Sequence, residues 1–251
     1  MAVTYSLDAY REQLRHYAQT MAVGDNRAAS AGLLAGHSPS RVAMFTDGNL
    51  YKRYEKLQSA CEVLADGLDE LNDYIKEYIK IVPLSAYDTN TTDGERFLIW
   101  LDEKKDLTDE QRDYVRCQRG RHAIEFVALK QRLAHIRFQE LLSMNDRLLP
   151  ELETNPRLAI HLNPIHVWSR FETGALLDDA DGGGATVMFF PVGEDIRTAV
   201  IEGDCESLIH LLEQQGVMRL KDLRKLYPHD SQSELPGLIR DLAEMGMVAL
   251  G

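Results

Sequence analysis

The stretch Thr186-Val187-Met188-Phe189-Phe190-Pro191-Val192-Gly193-Glu194-Asp195-Ile196-Arg197-Thr198-Ala199-Val200-Ile201 decides how the C-terminal part of this chain is read. Two β-prone runs, 186–192 and 196–201, flank Gly193-Glu194-Asp195, which predicts a β-hairpin with a turn of about three to five residues. In the second run Ile196, Thr198 and Val200 alternate with Arg197, Ala199 and Ile201. One face of such a strand packs inward while its backbone carries a row of donors and acceptors.

Downstream, Asp204 stands where a helix cap belongs, ahead of Leu208, Ile209, Leu211 and Leu212, and Gly216 ends that helix. A shorter helix is expected over residues 219–227, closed by Pro228. A third starts at Ser233, presents Leu235, Leu238, Ile239, Leu242 and Met245 on one face, and ends at Gly246, leaving Met247 to Leu250 as an apolar tail. Upstream, residues 157–160 and 165–171 are short β-prone runs, followed by an acidic, glycine-rich loop at 178–184.

The first 150 residues have a different texture. Leu7, Tyr10, Leu14, Tyr17 and Met21 recur at spacings of three and four behind Ser6, so a helix is expected over 6–21. Residues 24–40 mix Gly, Ala, Ser and Pro39 without periodicity and read as a connection. From 49 to 80, Leu50, Tyr54, Leu57, Cys61, Leu64, Leu68, Leu71, Ile75 and Tyr78 keep a heptad-like period until Pro83, predicting one long helix, which reads as packed within the chain in preference to the alternative, a coiled-coil dimer seam. A turn at 89–94 and a short helix at 95–104 follow. Leu107-Thr108-Asp109-Glu110 then starts a second long helix carrying Tyr114, Ile124, Phe126, Leu129, Leu133, Ile136, Leu141 and Leu142, with Pro150 and Pro156 at its exit. The expected fold class is α+β: a helical domain over 1–150 and a small winged-helix-like domain, strands then three helices, over 157–251.

With 251 residues, 44% hydrophobic, the chain can bury an ordinary core. Its longest apolar run, 185–192, is far shorter than the roughly 20 residues that cross a bilayer. Asp8, Arg11, Glu12 and Arg15 interrupt any apolar leader, and Cys61, Cys117 and Cys205 form no C-x-x-C pair. Both features fit a cytoplasmic protein with reduced thiols and no membrane partner.

Catalytic signatures are missing. There is no phosphate-binding P-loop, G-x-S-x-G elbow, H-E-x-x-H or Glu-x-x-His pair, and Gly182-Gly183-Gly184 lacks the spacing of a dinucleotide fingerprint. His122 with Glu125, and His161 with His166 beside Trp168, are the pairings that could suggest a metal or an acid–base role; each reads more simply as an ion pair or a packed histidine.

Strands followed by three helices are commonest in DNA-binding winged helices, but the charges disagree. Twenty-eight Lys and Arg face 40 Asp and Glu, a net charge of -12. Residues 156–251 hold eight basic side chains (Arg157, Arg170, Arg197, Arg219, Lys221, Arg224, Lys225, Arg240) against 15 acidic ones. The last helix sets Glu234, Asp241 and Glu244 against Arg240 alone and would repel phosphates, so nucleic acid is disfavoured. The same architecture can instead add a peptide strand to an exposed sheet edge. Candidate contacts are Ile196, Arg197, Thr198, Ala199, Val200 and Ile201 on the strand, and Leu238, Leu242 and Met245 on the last helix.

This order of elements resembles the peptide-recognition domains of ribosomal-peptide (RiPP) biosynthesis. Arg41-Val42-Ala43-Met44-Phe45 leading into Asn49-Leu50-Tyr51, and Asn163-Pro164-Ile165-His166-Val167-Trp168, are similar to segments of the helical partner proteins of multinuclear non-heme iron oxidases. Partner subunits of thiaglutamate and methanobactin synthesis are similar in plan, and these residues do not choose between them. The resemblance implies an accessory subunit that is not an enzyme. It would hold a precursor's leader, present its cysteine to a separate oxidase, form a heterodimer through the helical half, and leave the iron to the partner, with no cofactor of its own. The alternative reading is a winged-helix transcriptional regulator touching DNA through residues 219–225.

Overall fold

The computed structural model describes residues 38–82, 91–177, 183–227 and 232–251, together with Asp8, Arg11 and Glu12. Those three isolated residues are helical. The rest of the helix expected over 6–21, most of the connection at 24–40, Pro83, Pro228 and parts of the loops at 89–94 and 178–184 lie outside the described residues. The fold is mixed α+β, and by contacts the chain forms two compact units, 1–118 and 119–251.

In the first unit, helix α1 spans Pro39–Ser59, a 3-10 turn Glu62–Asp66, α2 Leu71–Ile81 and α3 Asp93–Asp102; α4, Asp109–Lys130, crosses into the second unit. Helix α1 begins ten residues before the expected start, with Pro39 in its first turn, where a fixed φ and a missing N–H cost nothing. The single helix expected over 49–80 is broken. Cys61 (φ -125°, ψ 36°) leaves helical geometry, and the Tyr114 ring lies where a Cβ on Gly67 would sit. The Gln118 side chain accepts from the Val63 N–H at 3.1 Å, occupying one donor freed at the corner. The apolar stripe nevertheless does what its period implies: Leu57, Cys61, Leu64, Leu68, Leu71, Ile75 and Tyr78 are all buried within the chain. Burial pushes the Cys61 thiol up to about 12, as befits a core residue. The start of α4 is a reciprocal capping box, in which the Gln111 N–H donates to Thr108 Oγ1 (3.2 Å) and the Thr108 N–H to Gln111 Oε1 (3.0 Å).

Helix α4 stops at Lys130 because Gln131 (φ -108°, ψ 26°) interrupts it, and α5 runs Arg132–Leu142. The second long helix of the sequence is therefore two. Its apolar residues also diverge: Ile124 and Phe138 are buried, whereas Leu129, Leu133 and Ile136 face solvent. Helix α6 (Asn145–Leu148) and a 3-10 turn (Leu149–Glu151) lead to strand β1, Ala159–Leu162, and then β2, Val167–Phe171.

The hairpin forms as β3, Ala185–Val192, and β4, Asp195–Val200, but its turn is tighter than expected. Val192 pairs with Asp195, leaving a two-residue loop whose first member, Gly193, has φ +64°. Positive φ at the first central position belongs to a type II′ turn, whose twist matches the flanking strands. Helix α7, Gly203–Gln215, starts without a side-chain cap; Asp204 lies inside its first turn, where a carboxylate favours the positive end of the helix dipole. Strand β5 (Met218–Arg219), α8 (Leu220–Leu226) and α9 (Leu235–Met245) follow, and α9 ends at Gly246 as expected. The apolar tail becomes β6, Val248–Leu250. Two antiparallel sheets result, ordered β5-β1-β6 and β2-β3-β4.

Candidate peptide-binding edge

Strand β4 pairs with β3 and, among the described residues, with no strand on its other side. Antiparallel ladders alternate between pairs that exchange hydrogen bonds and pairs that do not. The Ile201 N–H donates to Thr186 O at 2.9 Å, and the register runs Val187 to Val200, Met188 to Ala199, Phe189 to Thr198 and Phe190 to Arg197. By this alternation Ala199 and Arg197 turn their backbone groups toward β3, while Val200, Thr198 and Ile196 turn theirs to the open edge. Pro191 fits the same phase, since it pairs with Ile196 at a position where its missing N–H is not needed.

The two faces of this sheet are differently covered. Met188, Phe190 and Ile201 join the core that holds Ile239 and Leu242 of α9, and Ala199, Leu238 and Met245 pack partly buried against it. On the opposite face the Phe189 ring lies directly on Gly120 of α4, at the place a Cβ would occupy. The hairpin is thus held on both faces, while among the described residues no strand pairs with its outer edge.

Of the residues expected at the site, Ile201 (2% exposed) and Leu242 (1%) lie inside the core and have no surface to offer. Arg197, Thr198 and Val200 are exposed, and Ile196, Ala199, Leu238 and Met245 are half-buried. Arg197 joins strand and helix, its guanidinium donating to Met245 O at 3.4 Å across the end of α9. The structure therefore brings together the edge of β4 and the C-terminal end of α9.

The expected pairings, His122 with Glu125 and His161 with His166, form no common cluster among the described residues. His161 sits half-buried on β1, where burial lowers its pKa, while His122 and Glu125 belong to α4. His166 instead belongs to a cluster that the sequence reading did not identify. Glu213 Oε1 accepts from Trp168 Nε1 (2.6 Å) and faces His166 Nε2 (2.7 Å), and Oε2 faces His210 Nδ1 (2.7 Å). His166 Nδ1 lies 2.7 Å from Asn163 O. Burial works to raise the Glu213 pKa, but hydrogen bonds from Trp168, His210 and His166 outweigh it and lower the value. The spacing of His210 and Glu213 along one helix face was the available signal. This cluster ties β2 to α7, on a different strand from the open edge.

Among the described residues no group of three or more His, Cys, Asp or Glu is arranged to hold a metal ion, and no helix is long and apolar enough to cross a membrane. Comparisons with protein-family models, with curated proteins and with solved structures find no match for this chain.

Proposed function

We propose that this protein is the non-catalytic partner of a separate multinuclear non-heme iron oxidase in ribosomal-peptide biosynthesis, and that it captures the leader of a precursor peptide on the open edge of β4. The observation that carries this reading is the row of backbone donors and acceptors at Ile196, Thr198 and Val200, which no strand pairs among the described residues, together with the partly exposed Leu238 and Met245 of α9. A peptide laid there completes the ladder with main-chain hydrogen bonds, and its alternate side chains turn toward α9. Main-chain pairing supplies affinity for any extended segment; the apolar positions on α9 select which segments fit.

In this reading, residues 157–251 form the winged-helix-like recognition part and the helical residues 1–150 carry the enzyme-docking role. The iron, and the oxidation of the precursor cysteine, belong to the partner. The acidic residues Asp241 and Glu244 on α9 favour peptide over DNA, because a recognition helix must approach phosphates.

Co-expression with a multinuclear non-heme iron oxidase encoded beside it, followed by pull-down and leader titration, tests this function. A stable pair that binds the leader is expected. A lone protein that ignores the leader but binds DNA with a steep salt dependence would replace the reading with a transcriptional regulator.

A further inference from the structure

His166 stands between two groups that can only accept a hydrogen bond. Its Nδ1 lies 2.7 Å from Asn163 O, a backbone carbonyl, and its Nε2 lies 2.7 Å from Glu213 Oε1. That oxygen already accepts the Trp168 Nε1–H at 2.6 Å. Burial works to raise the Glu213 pKa, but the hydrogen bonds from Trp168, His210 and His166 lower it, so near neutral pH the group is an ionised carboxylate with no hydrogen to give. A neutral imidazole carries one N–H and one bare nitrogen and can satisfy one of these two contacts; the other would set lone pair against lone pair at 2.7 Å. Both contacts are hydrogen bonds only when both ring nitrogens carry hydrogens.

His210 is placed differently. Its Nδ1 lies 2.7 Å from Glu213 Oε2, its Nε2 a longer 3.7 Å from Glu206 Oε1, and its ring lies against that of Trp168 with centroids 4.9 Å apart. One N–H, on Nδ1, is enough for it. The titratable groups set against the His166 ring are thus Glu213 and, beyond it, His210 and Glu206, all on α7; Asn163 O in the turn and Trp168 on β2 do not titrate.

We propose that His166, Glu213 and Trp168 form a proton-operated clasp between β2 and α7, closed while His166 carries hydrogens on both ring nitrogens and loosened when it gives one up. Among the described residues β2 pairs with β3 alone, so the clasp fixes on α7 the edge of the sheet opposite β4. The His166 and Glu213 side chains both reach solvent, which lets the proton exchange with the medium. Closing needs the proton, so raising pH takes a proton from the folded chain and destabilises it. Strong acid opens the clasp from the other side by protonating Glu213, at a pH below 4.5, the ordinary value of that carboxyl.

Urea unfolding of the full chain between about pH 5.5 and pH 9, across the histidine range, tests the clasp in wild type, His166→Gln and His210→Gln. Glutamine donates to one acceptor and does not titrate. Expected is a wild-type unfolding constant that rises with pH, relative to His166→Gln, by up to about tenfold per pH unit, the slope for release of one proton. His210→Gln should keep the wild-type slope. Ring-nitrogen NMR of the wild type supplies a readout that needs no variant: both His166 nitrogens should be protonated near neutral pH, and the Trp168 indole N–H should shift as the proton leaves. Parallel pH profiles for wild type and a folded His166→Gln overturn the clasp, as does a wild-type spectrum with one bare His166 nitrogen at neutral pH. If His166→Gln does not fold, the wild-type spectrum decides.

Discussion

Glu213 collects three partners on two oxygens, from β2, from the turn ahead of it and from its own helix. Its lowered pKa fixes the sign of its pH dependence. A carboxyl that titrates lower when folded adds stability above its ordinary value, 4.5, and loses that contribution as pH falls through the lowered one. Replacing Glu213 by Gln should therefore cost about 1–2 kcal/mol at neutral pH, as expected for lost charged hydrogen bonds at a partly exposed site. The gap from wild type should close in acid, and urea titrations at pH 7 and pH 3 read both. Asn145 has a larger structural role. Buried in α6, it donates to Val248 O (2.9 Å) and Ala243 O (3.3 Å) and accepts from the Leu250 N–H (2.9 Å), joining α9 to β6. Asn145→Ala strands those backbone groups and should cost about 2–4 kcal/mol. The last strand's amides should lose hydrogen-exchange protection first. Nothing in the sequence around Met144-Asn145-Asp146 distinguishes this asparagine from a turn residue, since its partners lie about 100 positions away.

For strand β4, a proline series separates the two sides of the element. Proline at 197 or 199 removes a donor that faces β3 and should lower the melting temperature sharply. At 198 or 200 the lost donor faces the open edge, so the fold should survive; thermal melts of the four variants check the phase directly. Much of this hairpin was legible in advance because its signals are local: alternation in β4, a glycine between two β-prone runs, and Gly246 ending α9. The turn length was misread because Asp195 looks like a loop residue and is the first residue of the strand. The heptad stripe was legible as burial and misleading as shape, since a bend at Cys61 keeps the same residues facing inward while breaking the rod. Strand β6 was unreadable for a third reason. Its three residues become a strand only against β1, through the pairing of Ile160 with Leu250, a contact no local pattern announces.

At the scale of the whole molecule, the chain spends its surface unevenly. It is acidic overall, yet exposed aliphatic residues at 129, 133 and 136 stand within its most basic stretch, and among the described residues no strand pairs with the outer edge of β4. Exposed edges and apolar stripes invite aggregation unless they have occupants, so both features ask for partners. The central claim, that a peptide completes the β4 edge, is tested most directly by fluorescence anisotropy of a labelled leader peptide against wild type and Thr198→Pro. Saturable binding by wild type, weakened about tenfold or more in a variant with an unchanged melting curve, is the expected result. Equal affinity in the folded variant would contradict it and put the peptide elsewhere.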